Sequence, residues 1–181
     1  RDIKPENIMF TAGATEGLNI VADWCKDVPV VIISEAEHTA NILPWIAQGR
    51  NTENGRLVVL PVNDRGGLNY EECAKIFEKW PYALLSITSH SNVTGIGNNI
   101  KKLTKMAHDF GIRVCVDACQ TAGTHEFDVE TVDWAVFSGH KMYGPTGVGV
   151  LYSRIPFERY RTVRQGGGSV AHYDFSGKID Y

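Results

Sequence analysis

Short apolar runs alternate with amphipathic segments along almost the whole chain, and that alternation limits the folds open to it. The runs Ile8–Phe10, Val30–Ser34, Leu57–Val62, Leu84–Thr88, Arg113–Asp117, Trp134–Ser138 and Val148–Tyr152 have the length of strands. Several are apolar at successive positions, as strands covered on both faces must be. Between them, Thr15–Cys25, Ala40–Gln48, Tyr70–Lys79 and Lys101–Phe110 carry a helical pattern. Gly111 stands where a helix can end in the left-handed conformation. The order predicts a three-layer α/β fold around a mostly parallel sheet. Ligands of such sheets bind beyond the carboxyl ends of the strands. The residues that directly follow each apolar run therefore decide the function.

At 181 residues the chain suffices for one ordinary domain with a sizeable core. A formal net charge of −3 gives no reason to expect nucleic acid or an acidic membrane as partner. No stretch approaches the 18 or so apolar residues of a membrane span. No basic-then-apolar leader opens the sequence, which favours the cytoplasm. Cys25, Cys73, Cys115 and Cys119 make no Cys-x-x-Cys pair and have no histidine pair at zinc-finger spacing. Reduced thiols are expected. Cys115 and Cys119 flank a strand end, so one of them could lie near a ligand.

Five post-strand segments carry candidate chemistry. In Thr11-Ala12-Gly13-Ala14-Thr15-Glu16-Gly17, small residues at a helix start would let a backbone approach a phosphate closely. An ordinary helix capped by Thr15 is the alternative. In Glu35-Ala36-Glu37-His38-Thr39-Ala40-Asn41, the flat imidazole of His38 could stack on an aromatic ligand or relay protons, or simply cap a turn. In Ser89-His90-Ser91-Asn92-Val93-Thr94-Gly95, Asn92 could donate to a ligand oxygen or serve a polar turn. Asp117 closes an apolar strand and could hold the proton of a pyridinium, with Gln120 three residues on; capping the next segment is its bland reading.

The fifth segment is Ser138-Gly139-His140-Lys141-Met142-Tyr143-Gly144-Pro145-Thr146-Gly147. A lysine there, after a strand and before a Gly-Pro turn, could hold an aldehyde cofactor as a Schiff base. Ser138 and His140 beside it could donate to a phosphate. Pyridoxal phosphate asks for such an amine, a carboxylate for its ring nitrogen and a phosphate cradle.

Other motifs fail. Met142 follows the lysine, so this is no P-loop, and Gly144–Gly149 does not match Gly-x-Gly-x-x-Gly. Arg1-Asp2-Ile3-Lys4-Pro5-Glu6-Asn7 and Asp109-Phe110-Gly111 look like two protein-kinase motifs. In kinases those motifs are neighbours. Here Asp109 comes 102 positions after Asn7, with strands between.

Taken together, the segments resemble the class V aminotransferase family, in its cysteine desulfurase and selenocysteine lyase branch. The likeness rests on Phe10–Asn19, Glu37–Trp45, Ser91–Gly95, Val116–Gln120 and Phe137–Gly147, and covers the chain from Asn7 to about Ser169. It implies the large domain of a fold-type-I enzyme dependent on pyridoxal 5'-phosphate, releasing sulfur from L-cysteine, or selenium from selenocysteine, for iron–sulfur cluster assembly. Lys141 would hold the cofactor and shuttle a proton. Asp117 would pair with the ring nitrogen, His38 would stack on the ring, and Asn92 and Gln120 would hold its oxygen. Ala14, Thr15, Ser138 and His140 would bind the phosphate.

The resemblance also implies a homodimer, with the glycines at Gly166–Gly168 near the partner's site, and a sulfur-acceptor protein. Family members begin earlier and continue into a small C-terminal domain with a nucleophilic cysteine and a carboxylate-binding arginine. Residues 1–181 are accordingly expected to be the cofactor-binding domain without those two parts, and little active alone. An epimerase or another lyase of the family, or a non-catalytic cofactor-binding module, are the alternatives.

Overall fold

In a computed structural model of the protein, residues 3–161, 172–173, 176 and 179–180 are described. The first two residues of the kinase-like run and the Gly166–Gly168 run lie outside them. Seven strands form one sheet: β1 (Ile8–Thr11), β2 (Val31–Ser34), β3 (Leu57–Leu60), β4 (Leu84–Thr88), β5 (Arg113–Asp117), β6 (Trp134–Ser138) and β7 (Gly149–Ser153). Four α-helices accompany them: α1 (Ala14–Trp24), α2 (Leu43–Ala47), α3 (Tyr70–Lys79) and α4 (Ile100–Asp109). Two further strands, β8 (His172–Tyr173) and β9 (Ile179–Asp180), form a separate two-stranded sheet.

The spatial order is β1-β7-β6-β5-β4-β2-β3. β3, β2, β4, β5 and β6 run parallel, whereas β7 is antiparallel to both β6 and β1. The carboxyl ends of β1, β2, β4, β5 and β6 therefore share one edge. All the segments singled out from the sequence leave the sheet along it.

Two cores confirm the three layers. Ile32, Leu85, Ile87, Val114 and Val116 meet Phe77 of α3 and Leu103 and Ala107 of α4 on one face. Val31, Ile33, Cys115, Val136 and Leu151 meet Leu18 and Val21 of α1 and Trp45 of α2 on the other. Successive residues of β2 and β5 thus enter opposite cores, which explains why their inner positions, Val31–Ile33 and Val114–Val116, are all apolar.

Where the structure departs from the sequence pattern, proline and capping chemistry are the reason. The helix expected over Ala40–Gln48 is a short 3-10 turn at Thr39–Asn41 followed by the five-residue α2. Pro44 has no N–H to bond back to residue 40, so one helix cannot run through it. Pro61 likewise ends β3 two residues before the expected Val62. The cap of α1 is Gly13, not Thr15, which lies inside the first turn. Helix α4 stops as expected: Gly111 has φ +70°, its N–H bonds His108 O at 3.0 Å, and Ile112 N–H bonds Ala107 O at 3.0 Å. This paired closure is a Schellman end. It accounts for the Asp-Phe-Gly run without any metal-binding role.

Gly149 lies between Thr11 and Ser138 in the sheet. A Cβ there would sit 2.5 Å from Gly13 Cα and 2.7 Å from Phe137 O, both backbone atoms. Neither neighbour can swing away as a side chain would. Gly149→Ala is expected to lower stability by about 3 kcal/mol, an overpacking cost, read as the urea midpoint. A midpoint equal to wild type would show that the β1–α1 loop does not depend on this close approach.

Candidate active site

The carboxyl edge of the sheet encloses a cavity of about 170 Å³ lined by Ala14, Thr15, His38, Asn92, Asp117, Gln120, Ser138, His140 and Lys141. Every residue chosen from the sequence is on that lining. Ala40, Thr88, His90 and Cys119 join them. A larger cavity of about 390 Å³ shares only His90 with this one, and none of the residues chosen from the sequence lines it.

These side chains arrive from five strand ends, those of β1, β2, β4, β5 and β6. Asp117 is the last residue of β5 and 5% exposed. Its Oδ1 accepts from Cys119 N–H at 3.0 Å. The capping role considered for Asp117 is therefore real, and it coexists with a place on the cavity wall. Lys141 sits in the 3-10 turn Gly139–Met142 that follows β6, and is exposed. The turn is pinned at both ends: Gly139 N–H bonds Val148 O at 2.8 Å and Gly144 N–H bonds Gly139 O at 2.9 Å. Tyr143 leaves it in the left-handed region, φ 62°. That conformation costs a non-glycine residue about 1 kcal/mol, and it fixes the direction in which the lysine turn exits.

Ser138 links the first and fifth segments. Its Oγ accepts from Ala14 N–H at 3.0 Å and from the Cys119 thiol at 3.6 Å. A hydroxyl has two acceptor positions and one proton. With both acceptor positions taken, the Ser138 O–H is left to donate elsewhere. His38 has a defined tautomer for the same kind of reason. Its Nδ1 accepts from Ala40 N–H at 3.1 Å, so the neutral ring carries its proton on Nε2.

The thiols are held protonated. Burial, with the Asp117 charge second, pushes Cys119 up to about 12. Burial likewise raises Cys25 and Cys73 to about 11 and Cys115 well above the usual thiol range. All four are free cysteines, as expected, and Cys119 is the one that reaches the cavity. Among the described residues, no cluster of histidine, cysteine and carboxylate side chains could hold a metal, and no helix is long and apolar enough to cross a membrane.

Sequence reasoning did not single out Glu37. It is 7% exposed beside His38, and its carboxylate accepts from Ser34 Oγ and Asn41 Nδ2, each at 2.6 Å. Burial pushes its carboxyl up to about 7, with the Asp117 charge a smaller contribution. No local signal distinguishes it from the exposed Glu35 two residues earlier. A carboxyl whose pKa is raised on folding binds more protons in the native state, so its contribution to stability falls as pH rises from about 4.5 to about 7. The stability difference between wild type and Glu37→Gln, which cannot ionise, is expected to shrink across that window by up to about 3 kcal/mol. Urea midpoints of both proteins at several pH values test this; parallel curves would show an ordinary carboxyl.

The comparisons with known proteins agree with this architecture. The profile of the family described as Aminotransferase class-V matches residues 2–180. A cysteine desulfurase of Klebsiella pneumoniae (strain 342) is 40% identical over 172 residues, covering 91% of this chain and 42% of that protein. A cysteine desulfurase of Escherichia coli (strain K12 / DH10B) is 38% identical over 172 residues, again 91% of this chain and 42% of the relative. The apo structure of the cysteine desulfurase from Thermococcus onnurineus NA1 superposes with a TM-score of 0.85 at 33% identity, over 98% of this chain and 46% of that one. The chain thus spans less than half the length of the relatives it matches. A mostly parallel seven-stranded sheet with helices on both faces is the large-domain fold of fold type I, and the profile match runs almost end to end. The chain belongs to the class V aminotransferase family.

Proposed function

We propose that this chain is the pyridoxal 5'-phosphate-binding part of a cysteine desulfurase-like lyase, one that releases sulfur from L-cysteine and leaves alanine and a protein-bound persulfide. One observation carries the reading: an exposed amine, a buried carboxylate, an imidazole with a fixed Nε2 proton and a free serine hydroxyl proton all line one cavity. The names of the similar proteins support the reaction.

The residues present fit the cofactor's chemistry. Its phosphate needs donors, and the Ser138 O–H, Thr15, His140 and the start of α1 offer them on the cavity lining. Its ring nitrogen needs a carboxylate, and Asp117 is the one on the cavity lining. Its ring oxygen needs a donor, and Asn92 and Gln120 carry amide N–H groups. Bound pyridoxal phosphate supplies an electron sink. Asp117 would hold a proton at the ring nitrogen, its burial making the carboxylate count for more than it would in water. The Lys141 Nζ would anchor the cofactor and would move a proton to and from the substrate carbon. His38, on the same lining, would offer its Nε2–H as a donor to the bound cofactor. Cys25, Cys73 and Cys115 lie off the cavity lining and burial raises the Cys119 thiol, so on this reading none of the four takes up the sulfur. On the same reading the protein works as a cytoplasmic homodimer and passes sulfur to an acceptor protein for iron–sulfur cluster assembly.

Titrating the chain with pyridoxal phosphate tests the cofactor. A saturable visible absorbance band is expected, and a spectrum equal to that of free pyridoxal phosphate would sink the proposal. Adding L-cysteine then tests the substrate. It is expected to change that band, with little or no sulfide released by this chain alone. A band indifferent to L-cysteine would leave the cofactor in place and remove the desulfurase.

A further inference from the structure

Glu37 takes no part in the steps above, yet it is buried one residue from His38. Its two oxygens accept from Ser34 Oγ and Asn41 Nδ2. Asn41 is fully buried, and its Oδ1 accepts in turn from Ser86 Oγ at 2.5 Å. Ser86 is the central residue of β4. One continuous set of side-chain bonds therefore runs from the end of β2, through the turn after it, to the neighbouring strand. The turn is closed on His38 itself: Asn41 N–H bonds His38 O at 2.8 Å and Ala40 N–H bonds His38 Nδ1. His38 is exposed and makes no other side-chain bond among the described residues. Its place over the cavity is thus set by the turn, and the turn is set by the grip of Glu37 on Asn41. Both oxygens of the carboxyl are engaged, so the grip on Asn41 holds the turn under an otherwise loose ring.

We propose that Glu37 is a positioning residue that, through Asn41 and Ser86, holds the His38 imidazole over the cavity in its Nε2–H tautomer. What that position serves rests on the cofactor reading; the position itself does not.

Two measurements test it. The first needs no cofactor. In ¹⁵N-histidine-labelled full chain at about pH 8.5, where imidazoles are neutral, His38 is expected to show one protonated and one unprotonated ring nitrogen. In Glu37→Ala and in Ser86→Ala the two shifts should move toward a common averaged value. Glu37→Gln should keep them apart, because its amide can accept from Asn41 and donate to Ser34 Oγ. The second is the affinity for pyridoxal phosphate, read from the visible band. Glu37→Ala is expected to weaken it about tenfold with His38 present and less than about twofold in the His38→Ala background. A residue that merely stabilised the fold would cost the same factor in both.

Unchanged His38 shifts in Glu37→Ala and Ser86→Ala would overturn the proposal, as would equal losses in the two backgrounds. Ser86→Ala decides the matter alone if Glu37→Ala does not fold. A wild type that fails to bind pyridoxal phosphate would remove the proposed function, while the ligand-free spectra would still decide the role of Glu37.

Discussion

Lys141→Ala is expected to eliminate the visible band of bound pyridoxal phosphate and to lower desulfuration in the complete enzyme by about a thousandfold or more, the range associated with loss of a positioned proton carrier. Stability should change by less than about 0.5 kcal/mol, because the side chain is exposed and makes no bond within the described residues. The combination is diagnostic. The turn that carries residue 141 is closed by the backbone of Gly139, Gly144 and Val148, so the substitution leaves its geometry alone. A normal band in the variant would assign the cofactor to another amine. A large fall in stability would mean that Lys141 has a structural partner instead.

The second large effect concerns Arg50, on the opposite side of the chemistry. It is fully buried, with no carboxylate within ion-pair distance among the described residues. Its guanidinium donates to the carbonyl oxygens of Val28 at 2.7 Å, Lys26 at 3.0 Å, Cys25 at 3.2 Å and Pro29 at 3.3 Å, and to Gln48 Oε1 at 3.2 Å. Two of those carbonyls directly follow α1, where the helix dipole favours a cation. The charge is tolerated because all its donors are engaged. Arg50→Met keeps much of the volume but leaves the Lys26, Val28 and Pro29 carbonyls without their donor, Cys25 O alone keeping the Val28 N–H at 3.0 Å, at about 3 kcal/mol or more. Arg50→Lys should recover part of that loss, since a single ammonium reaches fewer of the four. Thermal or urea unfolding checks both. Equal stabilities for methionine and arginine would show that water satisfies these carbonyls and that the guanidinium is not required.

The residues that line the candidate site could be picked out from the sequence because parallel α/β sheets place ligand-binding chemistry at one kind of position. Asp117 and Ser138 are the last residues of β5 and β6. Ala14, His38, Asn92 and Lys141 come within a few positions of a strand end. Any parallel arrangement of those strands would gather them. Glu37 was invisible for the opposite reason: Glu35 and Glu37 are alike in local sequence, and only the approach of β4, bringing Ser86 under Asn41, buries one and not the other. Arg50 lies in a polar stretch, and nothing local marks it as the guanidinium that closes the end of α1. Pro44 and Pro61 did carry a readable signal, and the lengths of α2 and β3 follow from it.

By itself the sequence determined the elements, their approximate ends, the layered class and the candidate ligand-binding residues. All of these depend on hydrophobic period, turn chemistry and the rule that strand ends meet ligands, which are local properties. Only the tertiary structure decided that β7 runs against its neighbours, that Gly149 must yield space to Gly13, and which carboxyl and which arginine are taken out of water. Strand pairing and burial are settled by groups tens of residues away along the chain, whose free energies no local window contains.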